Sequence, residues 1–127
     1  MQLVDIWRAG MFWCPNKYGL NGTAKIIRFA HHIDVMHKRC APMPHYYLFL
    51  IGVDPKQRMK GLCSALMREM FNRTDIEGVP VYLETQSAGN VEIYKKHGFE
   101  LVEAHPFPST PSICNWGMIR KPRPVRT

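Results

Sequence analysis

The chain has 127 residues, 46% hydrophobic and 21% charged, with 17 Lys and Arg against 10 Asp and Glu for a formal net charge of +7. This fits one globular domain long enough to bury a core; no apolar run approaches the roughly 20 residues that span a bilayer, and no basic segment followed by an apolar one opens the chain. A cytoplasmic protein without a membrane partner is expected, and the positive balance implies an anionic ligand, either phosphorylated or a nucleic acid.

Residues 1–22 carry few signals. Leu3, Val4 and Ile6 suggest a short strand, and Trp7, Phe12 and Trp13 put bulky apolar groups beside turn residues. Asn21 or Thr23 is a candidate N-cap for a helix over 24–40, with Ile26, Ala30, Ile33 and Met36 on one face, before Ala41-Pro-Met-Pro44 ends it. His31, His32 and His37 lie one, five and six apart, whereas metal ligands on one helix face lie three or four apart, so they read as surface or packing groups. Cys14, Cys40, Cys63 and Cys114 are scattered without a CxxC pair and read as reduced thiols.

The most informative stretch begins at His45. His45–Val53 is apolar, aromatic and too short for a helix that also holds Gly52, so it reads as a buried strand, stopped by Asp54-Pro55. A basic loop, Lys56-Gln-Arg-Met-Lys-Gly61, leads into a helix over 62–73 whose Leu62, Ala65, Leu66 and Met70 fall at helical spacing. Strand, basic loop and helix start together suit a phosphate, because first-turn N–H groups are unpaired and the helix dipole adds positive charge there.

Asp75–Gly78 reads as a turn with Gly78 available for positive φ, and Val79–Thr85 as a second core strand, parallel to the first across the intervening helix. A short helix over Val91–His97 follows, with Asn90 a candidate cap and Gly98 its C′ residue; Tyr94 lies one turn beyond Asn90 on the same face. Phe99–Ala104 reads as a strand, 105–111 as a rigid loop, Ile113–Ile119 as a closing strand, and 121–127 as a mobile basic tail.

Val53-x-Pro55-x-x-Arg58-x-x-Gly61 resembles the acetyl-CoA motif of the GNAT N-acetyltransferases, whose pyrophosphate loop reads Gln/Arg-x-x-Gly-x-Gly/Ala. Asn90-x-x-x-Tyr94 and Lys96-His-Gly-Phe99 resemble the second half of the same fold. The likeness is closest to the branch containing puromycin N-acetyltransferase, which shares the aromatic strand before Gly52-Val53-x-Pro55, the Leu83-Glu84-Thr85 strand and the Trp116-Gly-Met-Ile-Arg-Lys-Pro122 ending. It covers about residues 43–122.

The resemblance implies an α/β (α+β) fold, a mixed sheet with a strand–pyrophosphate loop–helix–strand core. It implies one domain: an acceptor-side segment and helix (1–42), an acetyl-CoA core (43–122) and a basic tail (123–127). The expected activity is acetyl transfer from acetyl-CoA to an amine, of a small molecule on the branch likeness, with no metal. The main chain of Leu50, Ile51 and Val53 would hold the pantetheine arm. Arg58, Met59, Lys60, Gly61, Leu62, Cys63 and Ser64 would surround the pyrophosphate, and Asn90 and Tyr94 would reach the pantetheine. Trp7, Phe12, Trp13 and Tyr18 would line the acceptor pocket or simply fill core.

Such a transfer needs a neutral amine, a donor to the developing oxyanion, and a proton for the departing thiolate. Tyr94 suits the last role, since its phenol stays protonated at neutral pH, and an N–H near Ile51 would meet the oxyanion. Glu84, half-buried beside the slot, is the candidate base or a site for the acceptor's cation; His45 is a second candidate base and a water relay a third. Tyr47 and Phe49 stand where other branches place a Glu or His base, and neither serves as one at neutral pH.

Two departures from the pattern matter. Met59 and Cys63 replace the small residues that let pyrophosphate approach the N–H groups. Residues 1–42 match only the late part of the family's strand–helix–helix–strand–strand front unit, so the chain reads as N-terminally shortened. The sheet edge this leaves exposed is one that a homodimer would cover. The rivals are a catalytically degenerate coenzyme A binding module or truncated acetyltransferase, and a basic nucleic-acid binder using 120–126.

Overall fold

The computed structural model describes residues 14–108 and 110–124, with side chains from residue 19 onward. In chain order these form α1 (Cys14–Cys40), β1 (Tyr46–Tyr47), a 3-10 turn (Pro55–Gln57), α2 (Leu62–Glu77), β2 (Val81–Thr85), α3 (Ala88–Lys96), β3 (Glu100–Phe107) and β4 (Thr110–Arg120). The sheet order is β1-β2-β4-β3, with β1 parallel to β2 and the other pairs antiparallel. This is the mixed α/β sheet that the sequence leads one to expect, including the parallel pair. Among the described residues no helix is long and apolar enough to cross a membrane. The readings of 3–6 as a strand and of Trp7, Phe12, Trp13 and Tyr18 as pocket residues fall outside the described side chains.

β2 sets the layering. Its alternate side chains face opposite sides of the sheet. Val81 and Leu83 join Met67 and Phe71 of α2, Val91 of α3, Phe99 and Met118 in one core cluster. Tyr82 joins Met36, Cys40, Ala41 and Ile119 under α1 in a second. α1 lies over β3 and β4, with Phe29 stacked on Phe107 at 4.3 Å and Arg39 paired with Glu103.

Several boundaries differ from the sequence reading. α1 begins at Cys14, bends at Gly19 (φ 69°), and Thr23 donates its hydroxyl back to the Gly19 carbonyl at 2.9 Å instead of capping a helix start. The expected strand over His45–Val53 pairs only at Tyr46 and Tyr47, with one further bond from the Leu48 N–H to the Tyr82 carbonyl. The Phe49 N–H then bonds the Tyr47 carbonyl at 3.0 Å, a γ-turn-like contact that swings the chain away from β2.

α2 runs four residues beyond its expected end at 73, to Glu77, and Gly78 caps it with φ 68°. Its apolar period is correct but its phase is off by about one residue. Met67, Phe71 and Thr74 are buried, while Leu62 and Leu66 face solvent. α3 is capped by Ser87, whose side chain accepts from the Asn90 N–H, so Asn90 sits inside the first turn. At the other end Gly98 (φ 89°) is C′: its N–H bonds Lys95 and that of Phe99 bonds Tyr94.

The expected rigid loop at 105–111 is instead the tip of a hairpin, because β3 extends to Phe107 and β4 starts at Thr110. Pro106 is tolerated there because β3 is an outer strand. The start of the basic tail is anchored: Arg120 grips Asp75 with two bonds of 2.6 and 2.8 Å, and the Arg123 N–H adds a third at 2.9 Å.

Candidate active site

Where β1 leaves β2, the parallel ladder stops. The main chain of Leu50, Ile51 and Val53 has no inter-strand partner among the described residues. This leaves a slot whose rim is unpaired peptide groups beside the paired end of β2. Asp54 then accepts from the Lys56 N–H and starts the 3-10 turn, which delivers Arg58, Met59 and Lys60 to the head of α2. Gly61, at φ 73°, precedes a helix with no side-chain cap and no acidic residue in its first turn. The first N–H to bond within the helix is that of Ala65, to the Gly61 carbonyl, leaving those of Leu62, Cys63 and Ser64 open.

The two unusual residues of the motif, Met59 in the loop and Cys63 in the first turn of α2, behave differently. Met59 adopts φ 63°, a left-handed conformation that glycine takes without strain, and its side chain stands entirely in solvent. Cys63 packs half-buried against the α2–α3 core, on the side of Tyr94.

Tyr94 lies on that same face, edge-on to Phe99 at 5.7 Å. Burial pushes its phenol above the usual range, with the neighbouring Cys63 adding to the effect, so it remains a proton donor. Asn90 holds the end of β2 through its Nδ2 and the Thr85 hydroxyl at 3.4 Å.

Glu84 lies on the opposite face of β2, under α1. The Tyr47 and Tyr82 hydroxyls each donate to one of its oxygens at 2.9 Å. Burial nevertheless raises its carboxyl above the ordinary value, against the lowering from the two phenols. Gly117, paired with Glu84 in the register, makes this possible: a Cβ there would stand 2.8 Å from the Tyr82 hydroxyl.

The sequence offered His37 as a surface or packing group and His45 as a second candidate base, but not that the two meet beside this cluster. His37 stacks on Tyr82 at 4.7 Å, and its Nε2 lies 2.6 Å from that of His45. His45 Nδ1 must donate to the Met43 carbonyl, 2.6 Å away, because a carbonyl only accepts. In the neutral pair, then, His45 Nε2 accepts from His37, which occupies the lone pair that a general base would need. Burial and His45 both hold His37 below its usual range. Among the other histidines of α1, His31 is exposed and His32 packs on His105 and Phe107. The described residues hold no group of three side chains able to bind a metal ion.

A basic cleft of about 280 Å3 was also missed. It is lined by Arg68, Lys96, His97 and Arg123, with Asp75 already committed to Arg120. Ser64, in the first turn of α2, touches it through a 3.2 Å contact with His97 Nε2. The sequence signals were the pair of lysines after Tyr94 and the basic run 120–126 that holds Arg123, which meet each other and Arg68 only through the fold.

A mixed sheet split beside an uncapped helix start, with a tyrosine on one face and a half-buried carboxylate on the other, defines an α/β GNAT-like acyltransferase fold. The chain matches the sequence model of the acetyltransferase (GNAT) domain over residues 12–101, and it belongs to that family. It is 32% identical over 101 residues to an uncharacterized N-acetyltransferase of Schizosaccharomyces pombe, covering 75% of this chain and 40% of the relative. It is 30% identical over 74 residues to an L-amino acid N-acetyltransferase of Escherichia coli, covering 55% of this chain and 46% of that protein. The fold is shared with the crystal structure of the ribosomal-protein-S18-alanine N-acetyltransferase from Escherichia coli (TM-score 0.52, 23% identity, 63% of this chain and 56% of that one). The chain thus spans less than half the length of the two relatives matched by sequence.

Proposed function

We propose that this chain binds acetyl-CoA and transfers its acetyl group to a primary amine of a small molecule. The observation that carries this reading is the end of the β1–β2 ladder at Leu48, directly beside an uncapped helix start. Unpaired peptide groups suit the amides of pantetheine, and open N–H groups with Arg58 and Lys60 suit its pyrophosphate. The cleft of Arg68, Lys96, His97 and Arg123 supplies further positive charge for the remaining phosphate.

In this reading the acceptor's ammonium gives a proton to Glu84, and the freed nitrogen lone pair forms the N–C bond with the thioester carbon. The Ile51 N–H meets the oxyanion. The C–S bond breaks with its electrons going to sulfur, Tyr94 supplies the proton that makes the thiol, and the proton shed by the new amide nitrogen restores Tyr94 through water. Glu84 releases its proton to solvent before the next turnover. Glu84 and Tyr94 on opposite faces of the sheet fit entry of acceptor and thioester from opposite sides of the slot. The outer edge of β1, which among the described residues pairs only with β2, fits a homodimer in which two such edges pair.

Met59 favours a second reading, a coenzyme A binding module without turnover, because its side chain occupies a position suited to glycine. Calorimetric titration with acetyl-CoA is the first test. Micromolar binding that Gly61→Leu abolishes is expected; silence at millimolar acetyl-CoA removes both readings. Tyr94→Phe separates them: turnover should fall about 100-fold with affinity for acetyl-CoA retained, whereas a binding module has no turnover to lose.

A further inference from the structure

Among the described residues Glu84 is a carboxylate without a cation of its own in a basic chain. The protein carries +7 overall, yet Asp34 of α1 lies near enough to Glu84 to help push its carboxyl upward. Asp34 is matched by Lys38 one turn on, at 2.7 Å. Glu84 has no cation partner among the described residues; its hydrogen bonds come from two neutral phenols. A half-buried carboxylate so placed favours a cation arriving from outside.

The walls of the same site are aromatic. Tyr47 lies 4.3 Å from the His37 ring, 6.0 Å from that of Tyr82 and 5.7 Å from that of Phe49. Phe49 extends this row of rings past the last paired residue of β1 and leaves 79% of its surface in water. An exposed phenylalanine next to the tyrosine that holds an uncompensated carboxylate gains little for the fold. A ligand with a ring next to its ammonium uses both, through ring–ring contact and the attraction of a cation to aromatic faces.

Resting on the transferase reading, we propose that the acceptor is a primary amine carried on an aromatic body, with its ammonium on Glu84 and its ring on Phe49 and Tyr47. Phe49 and Tyr47 are then the specificity-determining residues of the acceptor site. An aliphatic amine finds the carboxylate but leaves the rings wet, and a peptide N-terminus brings polar amides against them.

The test compares phenethylamine, n-butylamine and glycylglycine as acceptors, following release of coenzyme A thiol. Phenethylamine should exceed butylamine in kcat/KM by at least about 10-fold, the range a filled apolar subsite supplies. Phe49→Ala should collapse that ratio to near one. A ratio near one in the unaltered chain, a preference for the dipeptide, or a ratio that survives Phe49→Ala overturns the inference and leaves the transferase reading standing. Where no amine supports turnover and acetyl-CoA does not bind, the transferase reading fails. The inference, which concerns the acceptor, then falls with it. Where acetyl-CoA binds but none of the three amines is acetylated, saturation-transfer NMR decides: ring contact for phenethylamine that Phe49→Ala removes sustains the inference, and absence of contact overturns it.

Discussion

The two faces of the sheet solve different problems with one strand. On the α2–α3 side, β2 contributes Val81 and Leu83 to a core cluster of apolar side chains, above which stand the open N–H groups of α2. On the α1 side the same strand contributes Tyr82 and Glu84 to a cluster built from hydrogen bonds and stacked rings. One face fixes backbone geometry by burial, which is non-directional and tolerant. The other fixes side-chain geometry by polar contacts, which fail when one partner is removed. The proposed coenzyme thus meets main chain on a rigid apolar base, and the proposed acceptor meets side chains that discriminate.

The largest break to this contrast should come where the apolar face depends on charge. Arg120 is buried over the Phe71 ring at 4.1 Å and is held by Asp75. Asp75→Ala leaves that guanidinium uncompensated and should cost about 3 kcal/mol in chemical denaturation. The pH dependence follows from Asp75, whose carboxyl Arg120 holds below its usual range. Its stabilisation is present above the ordinary carboxylate pKa and is lost as pH falls through the lower folded value; Asp75→Ala should remove that acid-side loss.

A smaller effect would sharpen the other side. Gly117→Ala places a methyl 2.8 Å from the Tyr82 hydroxyl and 3.0 Å from Met36 Cε, and should cost about 1–3 kcal/mol as overpacking. Tyr82 lowers the proton affinity of Glu84 by donating to it, so displacing the phenol should raise the Glu84 pKa further. With Glu84 as base, activity declines as pH falls through a value already above the ordinary carboxylate range. That acid limb should move upward in Gly117→Ala and vanish in Glu84→Gln. An unmoved limb separates Glu84 from the chemistry. The smallest effect is at the loop: Met59→Gly should relieve the left-handed strain and stabilise the chain by up to about 1 kcal/mol, read as a raised denaturation midpoint, because glycine's greater freedom when unfolded offsets part of the gain.

Much of the framework was legible locally. Gly61, Gly78 and Gly98 all have positive φ; Gly98 was expected to end a helix, Gly78 to close a separate turn with positive φ, and Gly61 was read within the loop before α2. The cap of α3 was misread because Ser87 and Asn90 are both good capping residues, and the start of the helix is settled by where β2 ends. The phase of α2 was misread because Leu62 and Leu66 fit the period as well as Met67 and Phe71. Only the position of the sheet decides which stripe is buried.

The sequence alone determined the order of elements, the strand–basic loop–helix unit and the parallel pairing of its two strands. These follow from backbone preferences and short-range periodicity, which each residue carries with it. The tertiary structure alone decided where β1 parts from β2, that Tyr47 and Tyr82 meet on Glu84, that His37 meets His45, and that Asp75 holds Arg120. Such pairings join groups 2 to 45 residues apart in the chain, and their partners are chosen by burial and geometry that no local pattern encodes.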